Sequence, residues 1–183
     1  MTLAASVVMV AVMIGVSSPA AVAQETSARQ RIGLVQYLQA SYAGIKRDLV
    51  AAAEKMPDAG YGFKPSQMDA ARTYGAVIAH AADGMFAACA RAKDVPNPVP
   101  DVEKRLSGKA EIVKALVQSI ALCDEAFSAL TDRSAEEYVR QGPVEIPRGA
   151  VLIGVLAHNA EMYGISTVYL RARNLVPPGS ERP

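Results

Sequence analysis

Four long segments of the sequence carry apolar residues at steps of three and four, and breaks rich in proline or glycine separate them. That spacing places one apolar stripe along a helix, so each segment is predicted to form an amphipathic α-helix. The predicted helices cover residues 28–56, 69–93, 109–130 and 147–174. No segment carries a convincing strand pattern. The predicted fold class is therefore all-α, a four-helix bundle.

The breaks between the segments support these boundaries. Residues 94–101, with the sequence DVPNPVPD, are predicted to be a loop, because proline lacks the backbone donor and clashes with the preceding helical turn. Ser134 and Glu137 have the spacing of a capping box, which predicts a short helix that Gly142 and Pro143 end. Connections of this length leave room for crossovers between the long helices.

The first 23 residues form a separate predicted domain. They carry no charged side chain, include an apolar run from Leu3 to Val16, and end in Ala21-Val22-Ala23 before Gln24. This pattern predicts a secretory signal peptide with an A-x-A cleavage site, leaving residues 24–183 as the mature domain. The alternative is an uncleaved anchor, but the apolar run is short for a membrane span. We therefore expect export to the periplasm or the medium, with no membrane attachment after cleavage.

Composition excludes several classes of function. The formal net charge is +1, so nothing in the charge balance points to nucleic acid as a partner. The sequence has no nucleophile elbow, no glycine-rich phosphate loop and no Cys-x-x-Cys. No catalytic residue is predicted. Cys89 and Cys123 are interpreted as two buried thiols, and a disulfide between them is the alternative that export would permit.

Two histidines, His80 and His158, fall mid-way along two of the predicted helices, each on an apolar stripe. Either could be a core imidazole with hydrogen-bonded nitrogens, but bundles also build metal sites from facing helices. A divalent site normally needs three protein ligands and an open position. Met162, four residues after His158, lies on the same helix face, but its thioether binds Zn, Ni or Fe(II) weakly and suits Cu(I) better. Glu161 is the alternative third ligand.

Three segments together resemble a known family. They are ARTYGAVIAHAADGMFAACARAK (71–93), KAEIVKALVQSIALCDEAFSAL (109–130) and PRGAVLIGVLAHNAEMYGISTVYLRARNLVPPGSERP (147–183). With the YGFKP segment at 61–65, they resemble the DinB-like (DinB/YfiT) superfamily over nearly all of the mature chain. The resemblance implies a four-helix bundle, often a homodimer, with a divalent metal held by three histidines.

The resemblance maps two of those histidines onto His80 and His158, whereas the third position carries Met162. Some members of the superfamily are thiol-dependent transferases in which the metal lowers the pKa of a thiol. Two hypotheses follow for this chain. The first is a degenerate metal-site bundle that binds a small molecule or a partner, with Met162 closing a hydrophobic pocket. The second is a divalent-metal-dependent enzyme, of hydrolase or thiol-transferase type, with Zn, Ni or Fe held by an altered ligand set.

Overall fold

The computed structural model describes residues 29–181, so the predicted signal peptide and its cleavage site lie outside the described residues. These described residues form six α-helices and one β-hairpin in this order: α1 (Leu34–Lys55), α2 (Tyr74–Ala92), α3 (Val102–Arg105), α4 (Lys109–Ser128), α5 (Asp132–Ala135), β1 (Tyr138–Gln141), β2 (Val144–Pro147) and α6 (Arg148–Ala172). The four long helices are those that the apolar periodicity predicts, so the predicted bundle is confirmed. Within residues 29–181, no helix combines the length and the apolar character that a membrane span requires.

The second helix is the centre of the bundle. α2 packs against both α4 and α6, while α1 packs against α6 and α4. The core is aliphatic and aromatic, and its largest fully buried side chains include Leu49, Tyr74, Ile78, Phe86, Leu116, Leu152 and Leu170. Burying each such side chain contributes about 1.5–3 kcal/mol relative to leaving it exposed. This packing fixes the spacing of α2 and α6, the two helices that carry the histidines.

Tyrosine hydroxyls add directed contacts between the helices. Tyr74 on α2 donates to the carbonyl of Ala52 at 2.6 Å, and Tyr42 on α1 donates to the carbonyl of Ile120 at 3.1 Å. Tyr169 on α6 donates to the carbonyl of Arg72 at 2.8 Å. That last bond ties the segment preceding α2 to the end of α6.

The hairpin corrects the expectation that the chain contains no strand. β1 and β2 pair antiparallel, with Val139 opposite Ile146, and Val139 is buried while Tyr138 beside it is exposed. Gly142 has φ +59°, which suits the first position of a two-residue hairpin turn. Strands of four residues are too short for alternation to stand out in the sequence. Gly142-Pro143 therefore joins two strands rather than ending a helix.

The short helix before the hairpin begins earlier than predicted. α5 is capped by Thr131, whose hydroxyl accepts from the backbone N–H of Ser134, while the Ser134 hydroxyl accepts from the backbone N–H of Thr131. The predicted capping box from Ser134 to Glu137 is wrong by one turn. A serine can return the second hydrogen bond of the box as a glutamate does, which shifts the start of the helix.

Cys89 on α2 and Cys123 on α4 form a disulfide, so the interpretation as two free thiols is wrong. Their Cα atoms are 5.1 Å apart, and both residues are fully buried. Each cysteine lies on the apolar stripe of its helix, and α2 and α4 pack stripe against stripe. The disulfide cross-links the two helices within the core.

Candidate functional site

The histidines of α2 and α6 lie together. The ring centroids of His80 and His158 are 5.0 Å apart, with the two planes at 73°. Each side chain is about a third exposed, at 31 % and 29 %. Both rings line one cavity of about 430 Å³ between α2, α6 and the hairpin. The structure therefore brings together the two residues that the sequence singles out, while their role as metal ligands stays a prediction.

A glycine on α2 makes room for the ring of His158. A Cβ atom added at Gly84 would lie 2.7 Å from Cδ2 and 2.8 Å from Nε2 of His158, closer than side chains tolerate. Gly84 is one helical turn after His80, on the same face. Only glycine at this position lets α2 pass beneath the imidazole of α6.

We expect Gly84→Ala to displace the His158 ring, with Gly44→Ala on α1 as the matched control because a Cβ there meets nothing within 4 Å. Alanine in place of a helical glycine whose Cβ meets no neighbour should stabilise the chain by up to about 1 kcal/mol. Gly44→Ala should show this gain, and Gly84→Ala should not. NMR spectra of the imidazoles check the displacement: unchanged His158 chemical shifts in Gly84→Ala would contradict the close approach.

A carboxylate on the short helix α3 orients His80. Oε2 of Glu103, on α3, lies 2.7 Å from Nδ1 of His80, and Nε of Arg72 donates to Oε1 of Glu103 at 2.7 Å. Asp83 on α2 holds α3 in place, because its carboxylate accepts from the backbone N–H groups of Val102 and Glu103 at 2.7 and 2.8 Å. These bonds satisfy the free N–H groups at the start of α3.

The charge of Glu103 determines the tautomer of His80. Burial raises the pKa of Glu103, but the hydrogen bonds from Arg72 and His80 outweigh it and leave the pKa below its usual value. An ionised carboxylate can only accept hydrogen bonds, so Nδ1 of His80 must carry a proton. In neutral His80, the lone pair is therefore on Nε2.

His158 has a different environment. Burial lowers the pKa of its imidazole, and the neighbouring His80 lowers it further. The ring is therefore neutral near pH 7, with one donor and one acceptor nitrogen. The carboxylate of Glu161 lies 4.0 Å from Nδ1 of His158, beyond hydrogen-bonding distance, and its side chain is 65 % exposed.

The residues present do not fit the three-histidine metal site that the resemblance implies. Met162 is buried and is not among the residues that line the cavity, and its thioether is a weak ligand for Zn, Ni or Fe(II). Glu161 points its carboxylate toward solvent. Both cysteines are oxidised in the disulfide and offer no thiolate. Within residues 29–181, no three His, Cys, Asp or Glu side chains are grouped so as to hold a metal ion.

The wall of the cavity contains polar groups that the sequence patterns did not reveal. Asn159 is fully buried and lines the cavity, and among residues 29–181 neither its Nδ2 nor its Oδ1 atom has a hydrogen-bond partner. Arg91 on α2 also lines the cavity, and its Nη1 donates to Oε1 of Gln141 at 3.0 Å. The rest of the wall is largely apolar, from Met85, Ala88, Ile146, Ala150, Val151 and Val155. The sequence offered one sign of this polar wall, which is an asparagine on an inward-facing stripe directly after His158.

Comparison with known proteins gives a consistent result for the fold. No protein-family model and no curated protein matches the sequence. Among solved structures, the chain is similar to a DinB-like protein from Bacillus cereus, with a TM-score of 0.68 and 15% identity over 78% of this chain and 94% of that chain.

Two further structures agree. A DinB-like protein from Bacillus subtilis matches with a TM-score of 0.59 and 13% identity, over 75% of this chain and 92% of that chain. A conserved protein from Enterococcus faecalis matches with a TM-score of 0.61 and 11% identity, over 77% of this chain and 97% of that chain. The resemblance drawn from the sequence is thus confirmed for the fold: the chain has the four-helix-bundle fold of these DinB-like structures.

Proposed function

We propose that this chain is a ligand-binding module built on a degenerate DinB-like metal site. The cavity between α2, α6 and the hairpin binds a small organic molecule, and the two imidazoles act as hydrogen-bonding groups. The observation that carries the proposal is the arrangement of the three family positions. His80 and His158 line the cavity, whereas Met162 at the third position is buried outside its lining.

The dimensions and chemistry of the cavity support the proposal. Its volume of about 430 Å³ is within the range of small-molecule sites, roughly 300–1,000 Å³. Such sites are mostly apolar, with a few polar groups that fix the orientation of the ligand. Here His80, His158, Asn159 and Arg91 supply those groups on an otherwise apolar wall.

We also propose that the protein works outside the cytoplasm, in the periplasm or as a secreted protein, and forms a homodimer as the resemblance implies. The predicted signal peptide at residues 1–23 supports export. The buried Cys89–Cys123 disulfide supports it independently, because disulfides persist in oxidising compartments and are rare in the cytosol.

A divalent-metal-dependent enzyme is the second candidate, and one contact favours it. Histidines that bind metals commonly donate their other ring N–H to a carboxylate, as Nδ1 of His80 does to Glu103. That function would need a third ligand in addition to the two imidazoles. The same contact also orients a histidine that hydrogen-bonds an organic ligand, so it does not outweigh the position of Met162.

A leucine placed in the cavity tests the proposed function. Gly154 lines the cavity and Gly164 does not, yet both lie on α6 and a Cβ at either meets nothing within 4 Å. Ligand-observed NMR with a fragment library should therefore find compounds that bind the wild type and Gly164→Leu but bind Gly154→Leu at least tenfold more weakly. Both variants should keep or exceed wild-type stability, since leucine is the better helix former.

Fragments that bind Gly154→Leu and Gly164→Leu equally would place binding elsewhere on the molecule. A library without hits for the wild type would also contradict the proposal.

A further inference from the structure

The buried amide of Asn159 is the strongest unexplained feature of the cavity. A buried polar group without a partner is rare in native proteins and destabilises the fold. Asn159 lines the cavity, and its Nδ2 and Oδ1 atoms both lack a hydrogen-bond partner among the described residues. A ligand that presents an acceptor and a donor side by side would satisfy both atoms.

The guanidinium of Arg91 is the second such feature. Arg91 lines the same cavity, and among the described residues its guanidinium donates to one side chain, the neutral amide of Gln141. In the part of the chain that the structure describes, no carboxylate forms an ion pair with it, in contrast to Arg72 and Arg148, which pair with Glu103 and Glu137. A guanidinium presents a planar fork of donors that matches a carboxylate.

We propose that the cavity recognises a small carboxylic acid that also carries a primary amide or a lactam. Arg91 binds the carboxylate, and Asn159 pairs with the amide through its free donor and acceptor. This inference rests on the proposed ligand-binding function and specifies the chemical class of the ligand. The imidazole of His158 lines the same cavity and offers a further hydrogen-bonding group to the ligand.

Three acids of this class serve as probes: pyroglutamate, succinamate and phthalamate, each compared with its methyl ester. They differ in the spacing of amide and carboxylate, and each ester keeps the amide but removes the charge. By ligand-observed NMR titration, we expect at least one acid to bind the wild type at least tenfold more tightly than its ester. Arg91→Gln should abolish that preference, because glutamine keeps a polar side chain without the charge.

Arg133→Gln is the matched control, since Arg133 is exposed on α5 and does not line the cavity. It should leave the preference for the acid unchanged. If no acid binds better than its ester, or if the preference persists in Arg91→Gln, the inferred ligand class is wrong. In that case, fragments that bind Gly164→Leu more tightly than Gly154→Leu would still support the proposed ligand-binding function.

Asn159→Ala separates a ligand-binding role from a structural one. Because the amide has no partner in the part of the chain that the structure describes, its removal should leave the melting temperature of the unliganded protein unchanged or higher, while binding of the acid weakens at least tenfold. Ser166→Ala on the same helix is the control: this buried serine donates to the carbonyl of Tyr163 and lies outside the cavity, so acid binding should not change. A lower melting temperature with unchanged binding in Asn159→Ala would overturn the assignment of Asn159.

Discussion

Reducing the Cys89–Cys123 disulfide is expected to lower the free energy of unfolding by about 2–4 kcal/mol. The two cysteines are 34 residues apart in the sequence, so the cross-link removes considerable freedom from the unfolded chain. It also joins α2 and α4, two of the helices that form the core. Urea denaturation with and without reductant measures the difference.

The double variant Cys89→Ala, Cys123→Ala is the control for this prediction. It should be less stable than the oxidised wild type and insensitive to reductant. Equal stability of the oxidised and reduced wild type would show that the disulfide does not constrain the fold as described. Alkylation of both thiols in the purified, unreduced protein would contradict the bond itself.

The second large effect concerns Met162. Replacing this buried thioether with histidine supplies a histidine where the resemblance implies a third metal ligand, but it places a polar ring in the core. We expect Met162→His to be destabilised by about 1–3 kcal/mol without metal, because the imidazole loses its hydrogen bonds to water. Zinc should then raise the stability of the variant, since a ligand that binds only the folded state stabilises it.

Thermal unfolding with and without Zn²⁺ measures both parts of the prediction. The wild type should show no zinc-dependent gain, and the triple variant Met162→His, His80→Gln, His158→Gln should lose the gain seen in Met162→His. A Met162→His chain that does not respond to zinc would show that position 162 cannot reach the two histidines. A wild type that responds as strongly would show that its own ligand set suffices.

Apolar periodicity predicts the long helices because each helix must bury a continuous apolar stripe. The pattern therefore repeats along the whole length of each of these helices. The same requirement explains why the sequence alone suffices to pair His80 with His158. Both interrupt an apolar stripe at mid-helix, and stripes in a bundle face one another. The register that brings the rings to 5.0 Å depends on Gly84, whose role becomes visible only when α2 and α6 are packed.

The missed features share a different cause. Glu103 reaches His80 from a four-residue helix held by Asp83, and a contact across 23 positions of loop and helix has no periodic signature. The disulfide depends on the relative register of α2 and α4, which composition does not specify. The strands of the hairpin are four residues long, so their alternation is too brief to distinguish from a loop. These features depend on how helices and strands pack against one another, and a pattern within a single element does not predict that packing.

The polar wall of the cavity also depends on packing between elements. Arg91 lies near the end of α2, where a basic residue is expected to favour the helix dipole. Its place in a cavity follows only from the position of the hairpin, which contributes Gln141 and Ile146 to the lining. The sequence predicted the two histidines of the site, but it did not predict the β-hairpin that forms another wall of the cavity.

The most direct test of the central claim is the zinc content of the wild-type protein. The mature chain, purified without a histidine tag, is dialysed against micromolar Zn²⁺ and then against metal-free buffer, and bound zinc is measured by mass spectrometry. A site with two imidazoles and no third strong ligand should retain well under one zinc per chain. One tightly bound zinc per chain, lost in His80→Gln and in His158→Gln, would contradict the ligand-binding account and establish a metal site.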